Sequence, residues 1–273
     1  MSPRILITGA TDGLGRGLAR KLAAQGATLI LHGRDGAKGE ELLRELGGRH
    51  TFEQADFGSL AQIRDLTERI LAGHDRLDAL VNNAGMGVEL ARQESADGYE
   101  LTFQVDYLST YLLSILLTPL LARSAPARIV NVTSAGQAPL DFDNVMLERG
   151  WDGVQAYCQA KLAQITFTFA HAELLRPTGV TVNALHPASY MPTKIVTHLF
   201  TVQSTLEEGV DNTARLITGP SLSEVTGAYF NRAQPGRAHA QAYDAKARVR
   251  LLELSEHLTN VAFPGSEHLN GLG

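Results

Sequence analysis

A single cysteine, Cys158, stands in 273 residues, which excludes an internal disulfide framework and fits a reducing compartment. The nine histidines have no Cys-x-x-Cys partner and form no His-Glu-x-x-His run, and no acidic cluster has calcium-loop spacing, so no metal site is expected. Basic residues are also few: 24 Lys and Arg against 29 Asp and Glu give a net charge of −5. With no basic stripe to track a phosphate backbone, nucleic acid is not an expected partner. The most apolar run, Tyr111 to Leu121, is shorter than the ~20 residues of a membrane span and contains Pro119, so it is read as a buried core helix. Met1 to Arg4 leads straight into Ile5-Leu6-Ile7 without the apolar segment and cleavage site of a signal peptide, which makes a cytoplasmic location the expectation. Linkers, repeats and low-complexity blocks are missing too, so the chain reads as one domain over 1–273.

What is present is a regular alternation of short β-rich runs and longer helical patterns, the rhythm of βαβ units around a parallel sheet. Strands are predicted at Arg4 to Thr8, Thr28 to His32, Thr51 to Ala55, Ala79 to Asn82, Ala127 to Thr133, Val180 to Leu185 and Gly227 to Phe230. Helices are predicted at Gly13 to Gln25, Ala37 to Leu46, Leu60 to Ala72, Ala96 to Leu121, Gln155 to Arg176 and Leu206 to Thr218, with a C-terminal extension over 240–258. This is an α/β chain with a doubly wound parallel sheet of seven strands, helices on both faces and an expected order 3-2-1-4-5-6-7.

The first predicted strand runs into Thr8-Gly9-Ala10-Thr11-Asp12-Gly13-Leu14-Gly15 and then a helix. Glycines there let the backbone turn tightly and approach a pyrophosphate, while the helix directs its N-terminal amides at it. Much later, Tyr157 and Lys161 stand four apart on a predicted helix, so they share a face and the ammonium can favour the ionised phenol. Between them lie Asn82-Asn83-Ala84-Gly85 at the end of the fourth strand and Val132-Thr133-Ser134 at the end of the fifth, with His186-Pro187-Ala188 following the sixth. In this order, over about Pro3 to Phe230, the motifs resemble the short-chain dehydrogenase/reductase family, whose fold is a Rossmann-type sheet.

The resemblance implies roles. Tyr157 exchanges the proton on a substrate oxygen, Ser134 holds that oxygen, and Lys161 lowers the tyrosine pKa and binds the nicotinamide ribose. Read as structure alone, the three are a half-buried helix aromatic, a strand-end hydroxyl and a solvated charge. By matching motif the coenzyme lies along Gly9, Thr11, Asp12, Gly13, Leu14 and Gly15, then Asp56 and Phe57, Asn83, Ala84 and Gly85, and Pro187, Ala188 and Thr193. Asp56 and Asn83 can equally be turn residues or helix caps. At the end of the second strand, Gly33-Arg34 offers a cation where a carboxylate would repel a 2′-phosphate, which favours NADP(H) over NAD(H). Asp12 argues mildly the other way, and Asp35 can neutralise Arg34.

Asp106 departs from the family, which usually has asparagine in the middle of the long fourth helix. Ionised, it would pair with Lys161 and weaken the positive field at Tyr157; protonated, it could imitate the amide. A lid over 188–205, with Tyr190, Met191, Ile195, Leu199 and Phe200, and an opposite wall of Phe142, Met146 and Trp151 would enclose a hydrophobic carbonyl substrate, unless these residues only pack the lid to the body. Cys158, one helical step from Tyr157, reads as a structural thiol. The expected activity is NADP(H)-dependent reduction of a hydrophobic ketone or aldehyde. A non-redox isomerase, epimerase or dehydratase and a non-catalytic NADP(H)-sensing protein are the alternatives. A homodimer or homotetramer could pair through Tyr111, Leu112, Leu116, Phe167 and Phe169, or these residues could be core.

Overall fold

The computed structural model describes residues 2–197 and 199–264. Its sheet has eight strands in the order β3-β2-β1-β4-β5-β6-β7-β8. They are β1 Arg4–Ile7, β2 Thr28–Gly33, β3 Thr51–Gln54, β4 Ala79–Asn82, β5 Ala127–Val132, β6 Val180–His186, β7 Tyr229–Asn231 and β8 Gln234–Pro235. The seven expected strands are present and parallel, in the expected order. The addition is β8, which pairs antiparallel through Phe230 with Pro235 and Asn231 with Gln234. Two residues carry no period, and the tight return is made by Arg232 at φ +56°, a turn that its side chain does not announce.

Alternation along the strands sends side chains to two different cores. Ile5, Ile7, Leu29 and Leu31 pack with α1 (Gly13–Ala24), α2 (Gly36–Leu46) and α7 (Leu206–Thr218), whereas Leu6 and Ile30 face α3 (Leu60–Gly73) and the long helices on the other side. α5 (Gly153–Leu175) is capped by the Asp152 carboxylate, which accepts the Gln155 N–H at 2.8 Å. The short α6 (Lys194–Thr197), which has no periodic signal, lies within the segment expected as a lid.

The fourth long helix begins later than its apolar pattern suggests. The Ser95 hydroxyl accepts the Asp97 and Tyr99 N–H groups, and Gly98 takes φ +81°, so this stretch is a turn. Helix follows as a π-helical stretch, Phe103–Leu108, continuing directly into α4 (Ser109–Arg123). Phe103–Arg123 is therefore long and apolar enough to cross a membrane by length and composition, contrary to the shorter run read from sequence, but most of its apolar window is buried inside the protein.

The C-terminal extension is broken at Asp244, whose carboxylate caps α8 (Ala245–Thr259) by accepting the Lys246 N–H at 2.8 Å. Ala240–Tyr243 before it form a 3-10 turn. This extension covers the face proposed above for pairing between subunits. Tyr107 and Ser255 share a hydrogen bond of 2.5 Å, Tyr99 and Tyr111 donate to the Leu258 and Val261 carbonyls, and Phe263 meets Phe167 edge-on. Tyr111, Leu112, Phe167 and Phe169 are buried in the chain's own core and Leu116 is largely so, which decides for core between the two readings of these residues.

Candidate active site

The turn between β1 and α1 is shaped by backbone that tolerates no side chain. Gly9 has φ +63°, and a Cβ there would lie 2.8 Å from Ala84 Cα; at Gly15 it would lie 2.1 Å from the Gly9 carbonyl oxygen and 2.6 Å from Asn83 Nδ2. Asn83 is the turn's brace. Its Nδ2 donates to the Thr8 carbonyl at 2.8 Å and the Gly9 carbonyl at 3.1 Å, while Thr8 Oγ1 accepts the Asn83 and Ala84 N–H groups. Asp12 caps α1 by accepting the Gly13 N–H at 2.8 Å, and its other oxygen pairs with Lys194 of α6, which holds the carboxyl below its ordinary range.

His32 is the brace that sequence reading missed. Its Nδ1 accepts the Gly9 N–H at 3.3 Å, its Nε2 meets the Ala55 carbonyl at 3.1 Å, and its ring stacks on Phe57 with centroids 4.2 Å apart. Burial holds it neutral, with a pKa of about 4, the state in which one ring nitrogen accepts and the other donates. A lone histidine ending the apolar run Thr28 to Leu31 was the available signal.

One groove of about 710 Å³ runs from this turn to the end of β6, and every residue expected to bind the coenzyme or to act in catalysis lines it except Asp106. Asp56 lines it while also making a turn, its Oδ1 accepting the Gly58 N–H at 2.9 Å. Asp35 caps α2, accepting the Lys38 N–H at 3.1 Å, and lines the groove together with Arg34 and Lys38. No carboxylate stands at Gly33, whose added Cβ would fall 2.7 Å from the Thr11 methyl. Thr193 reaches the glycine turn, with its methyl 3.2 Å from a Cβ built on Gly13.

At the far end, Tyr157 and Ser134 stand side by side on the groove, Ser134 Oγ 3.4 Å and a Tyr157 ring carbon 3.7 Å from the same Cβ built on Gly136, and Ser134 Oγ accepts the Gly136 N–H at 3.0 Å. Tyr229 fixes the strand end by donating to the Ser134 carbonyl at 3.1 Å. Lys161 Nζ lies 5.5 Å from the centre of the Tyr157 ring, donates to Gln164 Oε1 at 3.1 Å and faces Asp106 Oδ2 at 3.0 Å. Asp106 Oδ1 accepts the Met86 N–H at 2.6 Å, so the aspartate is fully buried behind the lysine, within the π-helical stretch. Burial raises the Tyr157 phenol above its ordinary value, against the downward pull of Lys161 and Ser134 and with Asp106 adding to the rise. The depressed phenol expected from a Tyr-Lys pair is thus not what this environment produces on its own.

The substrate end also differs from the sequence reading. Phe142 lies under the Arg250 guanidinium at 4.7 Å, Met146 packs against the apolar cluster of Phe103, Tyr107 and Phe167, and Trp151 abuts Gly153, so none of the three lines the groove. Gly136, Val154 and Cys158 supply that wall, opposite Tyr190, Met191, Ile195 and Phe200. The loop 135–151 carries no period to say which of its apolar groups turn inward. Cys158 therefore does face the groove, with Sγ 3.2 Å from a Cβ built on Gly136, but burial pushes its thiol up and keeps it protonated.

A glycine cradle that a Cβ would fill, a helix N-terminus and a cationic wall fit a dinucleotide phosphate. Comparison with known proteins agrees with this geometry. The family model described as short chain dehydrogenase matches residues 3–203. The chain is 34% identical to human retinol dehydrogenase 14 over 92% of its own length and 84% of that protein. Among solved structures, an uncharacterised protein from Mycobacterium Paratuberculosis superimposes with a TM-score of 0.81 at 28% identity, covering 96% of this chain and 95% of the other. A 3-ketoacyl-(acyl-carrier-protein) reductase from Brucella melitensis, solved with NADH, gives 0.69 at 25% identity, covering 85% and 98%. Motifs, fold, groove and relatives converge: the chain belongs to the short-chain dehydrogenase/reductase family and is an NAD(P)-dependent oxidoreductase.

Proposed function

We propose that this enzyme reduces a hydrophobic ketone or aldehyde with NADPH, with Ser134, Tyr157 and Lys161 as its catalytic residues and the cytoplasm as its location. The observation that carries the reading is the junction of two features in one groove: Ser134, Tyr157 and Lys161 together at one end, and a glycine cradle next to Arg34 and Lys38 at the other. When bound, the nicotinamide supplies the hydride. Ser134 orients the carbonyl oxygen, and Tyr157, protonated, gives that oxygen its proton as the alcohol forms. Lys161 holds positive charge under the phenol and stabilises the phenolate left behind. Apolar walls at Val154, Met191, Ile195 and Phe200 favour an apolar substrate and exclude water from the reacting carbonyl. The relatives named retinol dehydrogenase support the same substrate character.

The NADPH reading rests on Arg34 and Lys38 beside the N-terminus of α2, without a carboxylate at Gly33. A charge-assisted contact to a 2′-phosphate contributes about 1.5–3 kcal/mol. Arg34→Ala is therefore expected to weaken NADPH binding by roughly 10- to 100-fold while leaving NADH within about threefold. Titration of NADPH and NADH fluorescence on the wild type and the variant tests this. Equal loss for both coenzymes would remove the 2′-phosphate from the argument. Turnover is tested by NADPH oxidation over a panel of hydrophobic ketones, aldehydes and quinones.

A further inference from the structure

The fully buried Asp106 beside Lys161 has a consequence for the direction of catalysis. Oδ1 accepts the Met86 N–H at 2.6 Å, and Oδ2, which has no hydrogen-bond partner, forms an ion pair at 3.0 Å with Lys161 Nζ. A proton on Oδ1 would displace the amide and one on Oδ2 would face an ammonium that cannot accept it, so this geometry serves the carboxylate. Burial pushes the other way and raises the carboxyl, but the ammonium and the amide are fixed against it. Lys161 and Asp106 together then carry no net charge, and the phenol above them feels a dipole in place of an isolated cation.

We propose that Asp106, acting through Lys161 as a charge-setting residue, keeps Tyr157 a proton donor at physiological pH and so makes this enzyme a carbonyl reductase, with alcohol oxidation confined to alkaline conditions. The inference rests on the reductase reading of the site and adds the residue that sets its direction. In reduction, the carbonyl carbon gains a hydride from the reduced dinucleotide, the Tyr157 O–H bond breaks, and its proton goes to the carbonyl oxygen. Solvent reprotonates the phenolate through the groove. In oxidation the phenolate must be present first, and forming it beside a neutralised lysine requires high pH.

Other groups facing the phenol do not supply the missing cation. Ser134 and Cys158 are neutral, Tyr229 is a second phenol raised to about 12, and His186 on the groove is neutral with a pKa of about 4. Near Asp106, Glu89 repels its negative charge and works against the ion pair, while Glu100 is itself pushed up by burial, so neither supplies a cation to the phenol.

The test is a spectrophotometric titration of tyrosinate absorbance on coenzyme-free protein, taken as wild type minus Tyr157→Phe so that only Tyr157 contributes. In the wild type the step is expected above the ordinary ~10 of a phenol. In Asp106→Asn, which keeps the acceptor for Met86 and removes the charge, it is expected to fall by roughly one to two pH units. The alkaline rise of alcohol oxidation should move down by the same interval, while a role in packing alone would change rates without moving the profile. A wild-type step below ~10, measurable without the variant, overturns the proposal, as does an unmoved step in Asp106→Asn. Failure of redox activity itself would appear separately, as NADPH left unconsumed with every carbonyl.

Discussion

Tyr157→Phe binds NADPH with the affinity of the wild type, within about threefold, and loses carbonyl reduction by about 10³-fold. The phenyl ring keeps the packing on α5 and the contact with Lys161 at 5.5 Å, so what is removed is one hydroxyl. That hydroxyl is the titratable acid that stands on the groove beside Ser134 and Lys161, and general acid catalysis contributes 10²- to 10⁴-fold. A loss of that size in kcat, with little change in coenzyme binding, marks an interaction made in the transition state. Steady-state rates with the most rapidly reduced carbonyl, beside NADPH fluorescence titration, measure both quantities. A variant retaining a tenth or more of the activity would move the proton transfer to another group.

The second large effect falls on binding. Gly15→Ala places a methyl group where the Gly9 carbonyl oxygen stands 2.1 Å away and Asn83 Nδ2 2.6 Å away. Neither is a flexible chain end. The carbonyl belongs to the turn itself, and Asn83 is held by two bonds to Thr8 and Gly9. The turn must open to admit the methyl, and its amides then leave the positions from which they meet a phosphate. NADPH affinity is expected to fall by at least about 100-fold, close to the ~3 kcal/mol of two charge-assisted hydrogen bonds. Gly73→Ala serves as the control, because nothing lies within 4 Å of a Cβ at that helix end. Unchanged affinity in Gly15→Ala, with the control also unchanged, would mean the coenzyme does not use this turn.

Much of this architecture could be read from the residues because its elements obey periods. Strand runs such as Ile5-Leu6-Ile7 and Leu29-Ile30-Leu31 divide their side chains between two cores, and the parallel order follows from the helices between them. The placement of Asp106 beside Lys161 was expected from the resemblance, which puts an asparagine at this point of the fourth helix, even though the helix starts after Gly98 and winds through a π-helical stretch that the pattern did not announce. Where period gives no information, the reading failed. The loop 135–151 turns Phe142, Met146 and Trp151 onto the body, and Val154 and Cys158 of α5 take the wall in their place. Tyr111 and Phe167 have the apolarity that either a core or an interface requires, and only the return of α8 and Phe263 over them decides for core. His32 was legible only as an oddity in an apolar strand; its bonds to Gly9 and Ala55 need three dimensions to be seen.

The sign of the pKa shift at Tyr157 was also beyond the sequence. An i,i+4 lysine predicts a lowered phenol, but desolvation and the charge of Asp106 both oppose it, and their sum depends on how deeply each group is buried. The substitution of aspartate for the family's asparagine is one residue, yet it changes the electrostatics of the whole catalytic cluster.

The central claim, hydride transfer to a carbonyl carbon, is tested most directly with NADPH deuterated at C4 of the nicotinamide and the best carbonyl found in the panel. The account predicts one deuterium on the carbinol carbon of the product, with one NADPH consumed per alcohol formed. Product that carries no deuterium from either C4-labelled epimer, or that forms without consumption of NADPH, would contradict it and assign the scaffold to a non-redox reaction.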